Sequence, residues 1–189
     1  MNKLKKILLS IWANISKVFF YFIYDRKYLQ SKYFTEEEKF IGYKWCWQNL
    51  IGQKIRRING STPWTVSPYI KISNYNNLIF HPEDINNFQG FGKYFQNFDA
   101  KIIIGKGTYI ADNVGIITSN HSLKNLDKHL PGKDVVIGEQ CWIGMNSVIL
   151  PGVELGKKTI VGAGSIVTKS FIEGNCVIAG NPAKLIKKI

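Results

Sequence analysis

From Ile104 onward, one position in every six carries a branched aliphatic residue, a period that belongs neither to a helix nor to an ordinary strand. The frame holds Ile104, Ile110 and Ile116, is interrupted, and resumes with Ile137, Ile143, Ile149, Leu155, Val161 and Val167. The next position is Gly105, Ala111, Ile117, Gly138, Gly144, Leu150, Gly156, Gly162 and Thr168, five of the nine being glycine. The fifth position is mostly small, with Thr108, Cys141, Ser147, Thr159 and Ser165 among its members. One large aliphatic, one glycine and one small residue per hexad suit a coil of three short sides. The aliphatic points to the axis, the small residue fits beside it, and glycine is expected to take the corner backbone. Three sides per coil stack each position on the one three hexads further along, so Ile143 is expected to lie under Val161. Each coil buries its aliphatics only against its neighbours, so the repeat has to run without a gap to a cap.

The interruption, residues 122–134, contains Leu123, Lys124, Asn125, Leu126, Asp127, Lys128, His129, Leu130 and Pro131. An insertion into such a coil is extruded at a corner, and extruded loops are where function concentrates. His121 immediately precedes it. At the far end Gly180-Asn181-Pro182-Ala183-Lys184 breaks the period, and Leu185 to Ile189 reads as a short basic amphipathic tail that caps the coil.

Upstream the pattern changes near residues 59–68. Residues 1–58 read as an N-terminal helical region, with one helix over about Leu4 to Tyr24 and a second over Phe40 to Ile55. Thr35 followed by Glu38 has the capping-box spacing for the start of that second helix. Residues 66–101 are Asn-rich with short apolar runs, and the aromatics Phe88, Phe91, Tyr94, Phe95 and Phe98 are expected to pack under a loop. The expected organisation is thus a helical region, 1–58, and a β domain, 59–189, carrying the extruded loop 122–134.

The chain is basic, with 25 Lys and Arg against 13 Asp and Glu and a net charge of +12. Twelve of those basic residues and only four acidic ones lie in residues 1–60, so most of the excess lies outside the repeats. Basic residues interleaved with aromatics on a recognisable nucleic-acid motif are missing, and no nucleic-acid partner is expected. The first 24 residues combine Lys3, Lys5, Lys6 and Lys17 with an apolar run that has no small-x-small cleavage site and is interrupted by Asn14 and Lys17. It reads as uncleaved and as no membrane span. Two uses remain for it: packing on the protein itself or on another subunit, or lying in a membrane interface. Cys46, Cys141 and Cys176 are odd in number and widely spaced, which suggests neither a disulfide framework nor a zinc ribbon.

The motifs Asn120-His121 before a loop, Ile137-Gly138-x-x-Cys141-Trp142-Ile143-Gly144, Leu150-Pro151-Gly152-Val153, Val161-Gly162-Ala163-Gly164-Ser165-Ile166-Val167-Thr168-Lys169 and Gly180-Asn181-Pro182-Ala183-Lys184 together resemble the hexapeptide-repeat acyltransferases. Within them the chain is most similar to the O-acetyltransferases of exopolysaccharide and capsule biosynthesis. The resemblance covers residues 101–189 firmly, 59–100 weakly and 1–58 not at all. It implies a mainly β fold, a left-handed parallel β-helix, here with a helical N-terminal extension and a basic C-terminal tail. It also implies a homotrimer with acetyl-CoA in the groove between subunits and direct transfer of the acetyl group to a hydroxyl. The acceptor implied is a saccharide, sugar nucleotide or lipid-linked sugar, handled in the cytoplasm or at the inner face of the membrane.

A sugar hydroxyl is a poor nucleophile at neutral pH, so such a transfer needs a neutral imidazole within hydrogen-bond reach. His121 matches the family's catalytic histidine. No metal is required. For acetyl-CoA the resemblance implicates Trp142, Gly144 and Ala163 along the thioester and pantetheine arm, Thr168 and Lys169 toward the nucleotide, and Lys184 and Lys187 at its phosphates. Gly162 and Gly164 are better explained as coil corners. Candidate orienting partners of His121 are Asp112, Asp127, Asp134, Glu139 or a backbone carbonyl. Three competing readings stand beside this one: transfer to an amino sugar or serine, a zinc site built on His81, His121 and His129, and a non-catalytic scaffold at a membrane surface.

Overall fold

The computed structural model describes residues 3–189. The chain forms two compact units, the first ending at Pro68 and the second spanning Tyr69–Ile189.

In the first unit, helix α1 (Lys3–Phe20) turns Ala13, Ser16 and Phe20 inward. Helix α2 (Ile41–Leu50) runs directly into one π-type turn, Ile51–Ile55. Trp47 joins the two helices: its indole N–H donates to Ser16 Oγ at 2.9 Å, and its ring stacks on Phe19 at 5.0 Å and meets Phe20 edge-on at 5.0 Å. The π-type turn carries Gln53 into the interior, where Gln53 Oε1 accepts from Tyr24 Oη (2.8 Å) and the Val66 N–H (3.1 Å). Its amide donates to Thr62 Oγ1 (2.5 Å) and the Trp64 carbonyl (2.8 Å), which ties residues 59–66 to the helices. A wider turn at that point is the local distortion that lets one buried amide meet all of these partners.

Two sequence expectations are corrected here. α1 ends at Phe20 rather than Tyr24. The Thr35–Glu38 capping box does not form, because the Thr35 hydroxyl donates back to the Lys32 carbonyl at 2.7 Å. Lys39 and Phe40 then adopt left-handed backbone (φ 52° and 54°), so α2 cannot start before Ile41. Packing decides this: the Phe34 ring lies so close over Gly42 that a Cβ there would come within 2.6 Å of it.

The second unit is built from three parallel sheets that the chain visits in rotation. The first contains Lys71–Ile72, Tyr94–Gln96, Gly115–Ile117, Val148–Ile149 and Ile166–Val167. The second contains Leu78–Ile79, Ile102–Ile104, Val135–Ile137 and Glu154–Leu155, extended by a bridge from Leu155 to Phe171. The third contains Tyr109–Ile110, Trp142–Ile143, Thr159–Val161 and Cys176–Ala179. Ile143 pairs in register with Val161, Ile149 with Val167 and Ile137 with Leu155, so that each frame residue lies over the one three hexads before it. All nine frame residues are buried, none more than 5% exposed.

The glycines do something other than expected. In seven of the nine hexads the left-handed corner residue is the fourth, at Gly107, Asn113, Gln140, Asn146, Gly152, Lys158 and Gly164 (φ 55° to 79°). The second-position glycines are needed because successive coils touch there: a Cβ on Gly105 would lie 2.5 Å from Glu139 N, and one on Gly144 2.6 Å from Ala163 N. Gly162 belongs with these, whereas Gly164, with φ 70° and open space around it, is a corner as expected.

At the far end the basic tail caps the coil as a strand: Lys184–Lys188 pairs antiparallel with Cys176–Ala179 and closes the open edge of the third sheet. The rest of the second unit departs from expectation in one place. The aromatics of residues 88–98 split rather than packing together. Phe88 and Phe95 are fully buried, 5.5 Å apart, with Phe80 against Phe88 at 4.5 Å, while Phe91 and Phe98 face outward.

Candidate active site

Ile104 pairs directly with Ile137, so the coil between them is far longer than three hexads, and the excess leaves at the corner between the first and second sheets. The base of this insertion is firmly held. Buried Gln96 accepts from the N–H groups of Thr118 and Ser119 at 3.0 and 3.1 Å and donates to the Ser119 carbonyl at 3.0 Å. Ser119 Oγ donates to the Leu130 carbonyl at 2.7 Å, and Leu130 N–H returns to the Asn120 carbonyl at 2.8 Å. On the exit side, Gly132 N–H donates to Asp99 and Lys101 N–H to Asp134, at 2.7 and 2.8 Å.

Above this base the insertion is a short antiparallel hairpin, His121–Ser122 against Asn125–His129, exposed along its whole second strand. Cross-strand pairing sets His121 opposite His129, with ring centroids 4.2 Å apart, and Phe98 meets His129 edge-on at 5.0 Å on its other side. His121 Nδ1 lies 2.7 Å from the Leu126 carbonyl oxygen. A carbonyl can only accept, so Nδ1 carries the hydrogen and, in the neutral ring, the lone pair sits on Nε2. The group in contact with the His121 ring nitrogen is therefore a backbone carbonyl rather than one of the carboxylates considered from sequence. Asp112, one of those, is bound by the Lys93 ammonium (2.8 Å) and the Phe91 N–H (2.9 Å), which together hold its carboxyl below the usual range.

The other candidates fall into two groups. Trp142, Gly144, Ala163, Lys184 and Lys187 lie on the third sheet or its exit corner. On the outer face of that sheet Trp142 pairs with Tyr109 and Ile160, Ile160 with Val177, and Val177 with Lys187, so Trp142 and Lys187 share one row. Gly144 and Ala163 stack at the corner, and Lys184 pairs with Ala179. Thr168 and Lys169 instead occupy the loop-bearing corner, on the same side as His121. Lys169 opens onto a cavity of about 310 Å³ that it shares with Phe171, Glu173, Leu185 and Lys188. A single chain thus separates the Trp142 group from the His121 group. The hexad pattern gave no sign of Leu126, Phe98 or Lys188, because it is silent about backbone carbonyls and about residues outside the frame.

His81 Nδ1 accepts from the Glu83 N–H at 3.2 Å as the cap of a short turn. Among the described residues, no three His, Cys, Asp or Glu side chains are grouped to hold a metal ion. Cys46, Cys141 and Cys176 are buried free thiols, and burial pushes the Cys46 and Cys141 thiols up, away from nucleophilic thiolate. No described helix is long and apolar enough to cross a membrane.

Residues 134–169 match the family model described as bacterial transferase hexapeptide (six repeats). The chain is 44% identical over 94 residues to a Saccharomyces cerevisiae protein named as an acetyltransferase, covering 48% of this chain and 47% of that one. It is 42% identical over 99 residues to an Escherichia coli protein named as a lipopolysaccharide biosynthesis O-acetyl transferase, covering 46% and 50%. With the galactoside O-acetyltransferase of Lactococcus lactis it shares 35% identity over 127 residues, 60% of this chain and 61% of that one. The chain spans about half the length of the first two relatives and 61% of the third. Over residues 134–169 the repeat is similar to that of the bacterial hexapeptide transferases.

Proposed function

We propose that this hexapeptide-repeat chain is an acetyl-CoA-dependent O-acetyltransferase acting on a saccharide hydroxyl, in the assembly of a bacterial exopolysaccharide, capsule or lipopolysaccharide. The observation that carries the reading is the His121 Nδ1 to Leu126 carbonyl contact, which fixes the tautomer and leaves Nε2 as a base on an exposed hairpin. Relatives named for O-acetyl transfer to a galactoside and in lipopolysaccharide biosynthesis support the acceptor class. The rotation through three parallel sheets supports a left-handed β-helix.

Acetyl-CoA supplies an acyl group activated as a thioester. His121 Nε2 takes the proton of the acceptor hydroxyl as its oxygen bonds to the acyl carbon. The resulting imidazolium, held by the Leu126 carbonyl, gives that proton to the departing CoA sulfur, so the ring ends neutral and no covalent enzyme intermediate forms. Backbone N–H groups at the site meet the charge that develops on the acyl oxygen. Trp142 and the Gly144–Ala163 corner suit the pantetheine arm, the corner because it presents backbone without bulk. Lys184, Lys187 and Lys169 suit the phosphates as point charges. Because the Trp142 and His121 groups lie on different corners of one chain, the reading requires a homotrimer in which one subunit's His121 corner faces the next subunit's third sheet. The protein is taken to work in the cytoplasm.

The test is CoA release from acetyl-CoA over a panel of sugars, nucleotide sugars and short oligosaccharides, with His121→Ala in parallel. The reading holds if an acceptor stimulates release and the variant loses roughly 10²-fold or more while keeping its oligomeric size. If acetyl-CoA fails to bind at all, the enzymatic reading falls.

A further inference from the structure

Helix α1 uses only one of its two apolar faces within the protein. Ala13, Ser16 and Phe20 turn inward, whereas Leu4, Ile7, Leu8, Ile11, Ile15 and Val18 recur at helical spacing on the opposite side and are each 49–63% exposed. At about 100° per residue those six fall within about 100° of arc, a continuous apolar stripe about 21 Å long. Lys3, Lys6 and Lys17 form one flank of the stripe, Lys5 lies beyond the other, and the sequence has no acidic residue before Asp25.

We infer that this stripe is a docking surface for an anionic lipid bilayer, with α1 lying flat in the interface. The charge argues for lipid over a second copy of the chain. Two such stripes laid together would bring only lysines to their shared rim, with no carboxylate on either helix to neutralise them. An anionic leaflet supplies both an apolar layer for the six aliphatics and phosphates for lysines that reach outward from the flanks. A helix of 18 residues interrupted by Asn14 and Lys17 is suited to lying in the interface rather than crossing it. The inference does not depend on the chemistry at His121.

The test is co-sedimentation of the full chain with vesicles of phosphatidylcholine containing phosphatidylglycerol (about a third anionic lipid, enough to charge the surface) or of phosphatidylcholine alone. Wild type should partition at least about 10-fold better onto the anionic vesicles and be released by high salt. Ile11→Asp with Val18→Asp, both at exposed positions, should abolish partitioning with unchanged thermal unfolding. As a second readout that leaves the stripe apolar, the fluorescence that Ile11→Trp adds to that of wild type should shift to the blue on anionic vesicles only. Equal binding by the double aspartate variant, equal binding to neutral vesicles, or no blue shift overturns the inference. So does a wild-type oligomer that the aspartates dissolve in the absence of any lipid binding, since the occupant would then be a second copy.

Discussion

His121 gives its Nδ1 hydrogen to the carbonyl oxygen of Leu126, across the hairpin, at 2.7 Å. A backbone acceptor makes the tautomer a property of the hairpin's shape rather than of any neighbouring side chain. The Leu126 side chain is exposed, so its identity has little bearing on the contact.

Leu126→Ala should therefore change turnover by less than about 3-fold, whereas replacing residues 123–128 by a tight turn should lower kcat about as far as His121→Ala does. Circular dichroism melting separates the outcomes, since the hydrogen-bonded base of the insertion keeps the coil intact. Comparable losses in Leu126→Ala and the shortened hairpin would show that the side chain, not the carbonyl, is at work.

His129 packs against His121 and, edge-on, against Phe98. If this packing positions the base, His129→Phe should retain most of kcat and His129→Ala should lose about 10-fold, with KM for acetyl-CoA unchanged in both, a loss of about 1.4 kcal/mol of transition-state stabilisation. Equal losses in the two variants would point instead to a proton-carrying role for His129.

Gly144 and Gly164 occupy neighbouring coils for different reasons, and alanine at each should say so. Gly144→Ala forces a methyl group to 2.6 Å from Ala163 N and should cost about 3 kcal/mol or prevent folding. Gly164→Ala meets nothing within 4 Å and should cost only the left-handed backbone, about 1 kcal/mol. Urea unfolding of the two variants provides the comparison.

Lys93 is almost fully buried and its ammonium is bound by half-exposed Asp112. Because the folded Asp112 carboxyl is held low, chiefly by its hydrogen bond from Lys93, its contribution is fully present above the unfolded value of about 3.9 and is lost as pH falls through the folded value. Asp112→Asn should lower stability by about 1–2 kcal/mol at neutral pH and flatten the acid limb of the melting curve below about pH 4.

Gln53 has five hydrogen-bond partners in the first unit. Gln53→Leu keeps the volume but strands the buried Val66 N–H and removes the acceptor of the Tyr24 hydroxyl, and should destabilise that unit by about 2–3 kcal/mol. An unchanged thermal transition would mean that water replaces the amide.

Legibility in the sequence followed the regularity of the coil. Where each turn of the coil is three hexads long, the buried positions could be named in advance from Ile137 to Val167. Below Ile102 the same parallel pairing continues, but Ile72 meets Phe95, Leu78 meets Ile102 and Phe95 meets Ile116, three turns of different length and each longer than three hexads. Unequal turns leave no period, so residues 71–101 could be read only as short apolar runs. The Thr35 cap failed for another reason: its local signal was sound, but the packing of Phe34 on Gly42 set the helix start.

The sequence by itself determined which large residues point inward, because in a repeating coil that choice is made by local backbone geometry every six positions and the axial position must be apolar. It also determined that something is extruded after His121. Only the tertiary structure decided what His121 touches. The carbonyl of Leu126 reaches it through the fold of a hairpin, and Phe98 supports His129 from a segment well upstream of that hairpin. A carbonyl is present at every residue, so the chain carries no letter for it, and its position exists only once the backbone has closed.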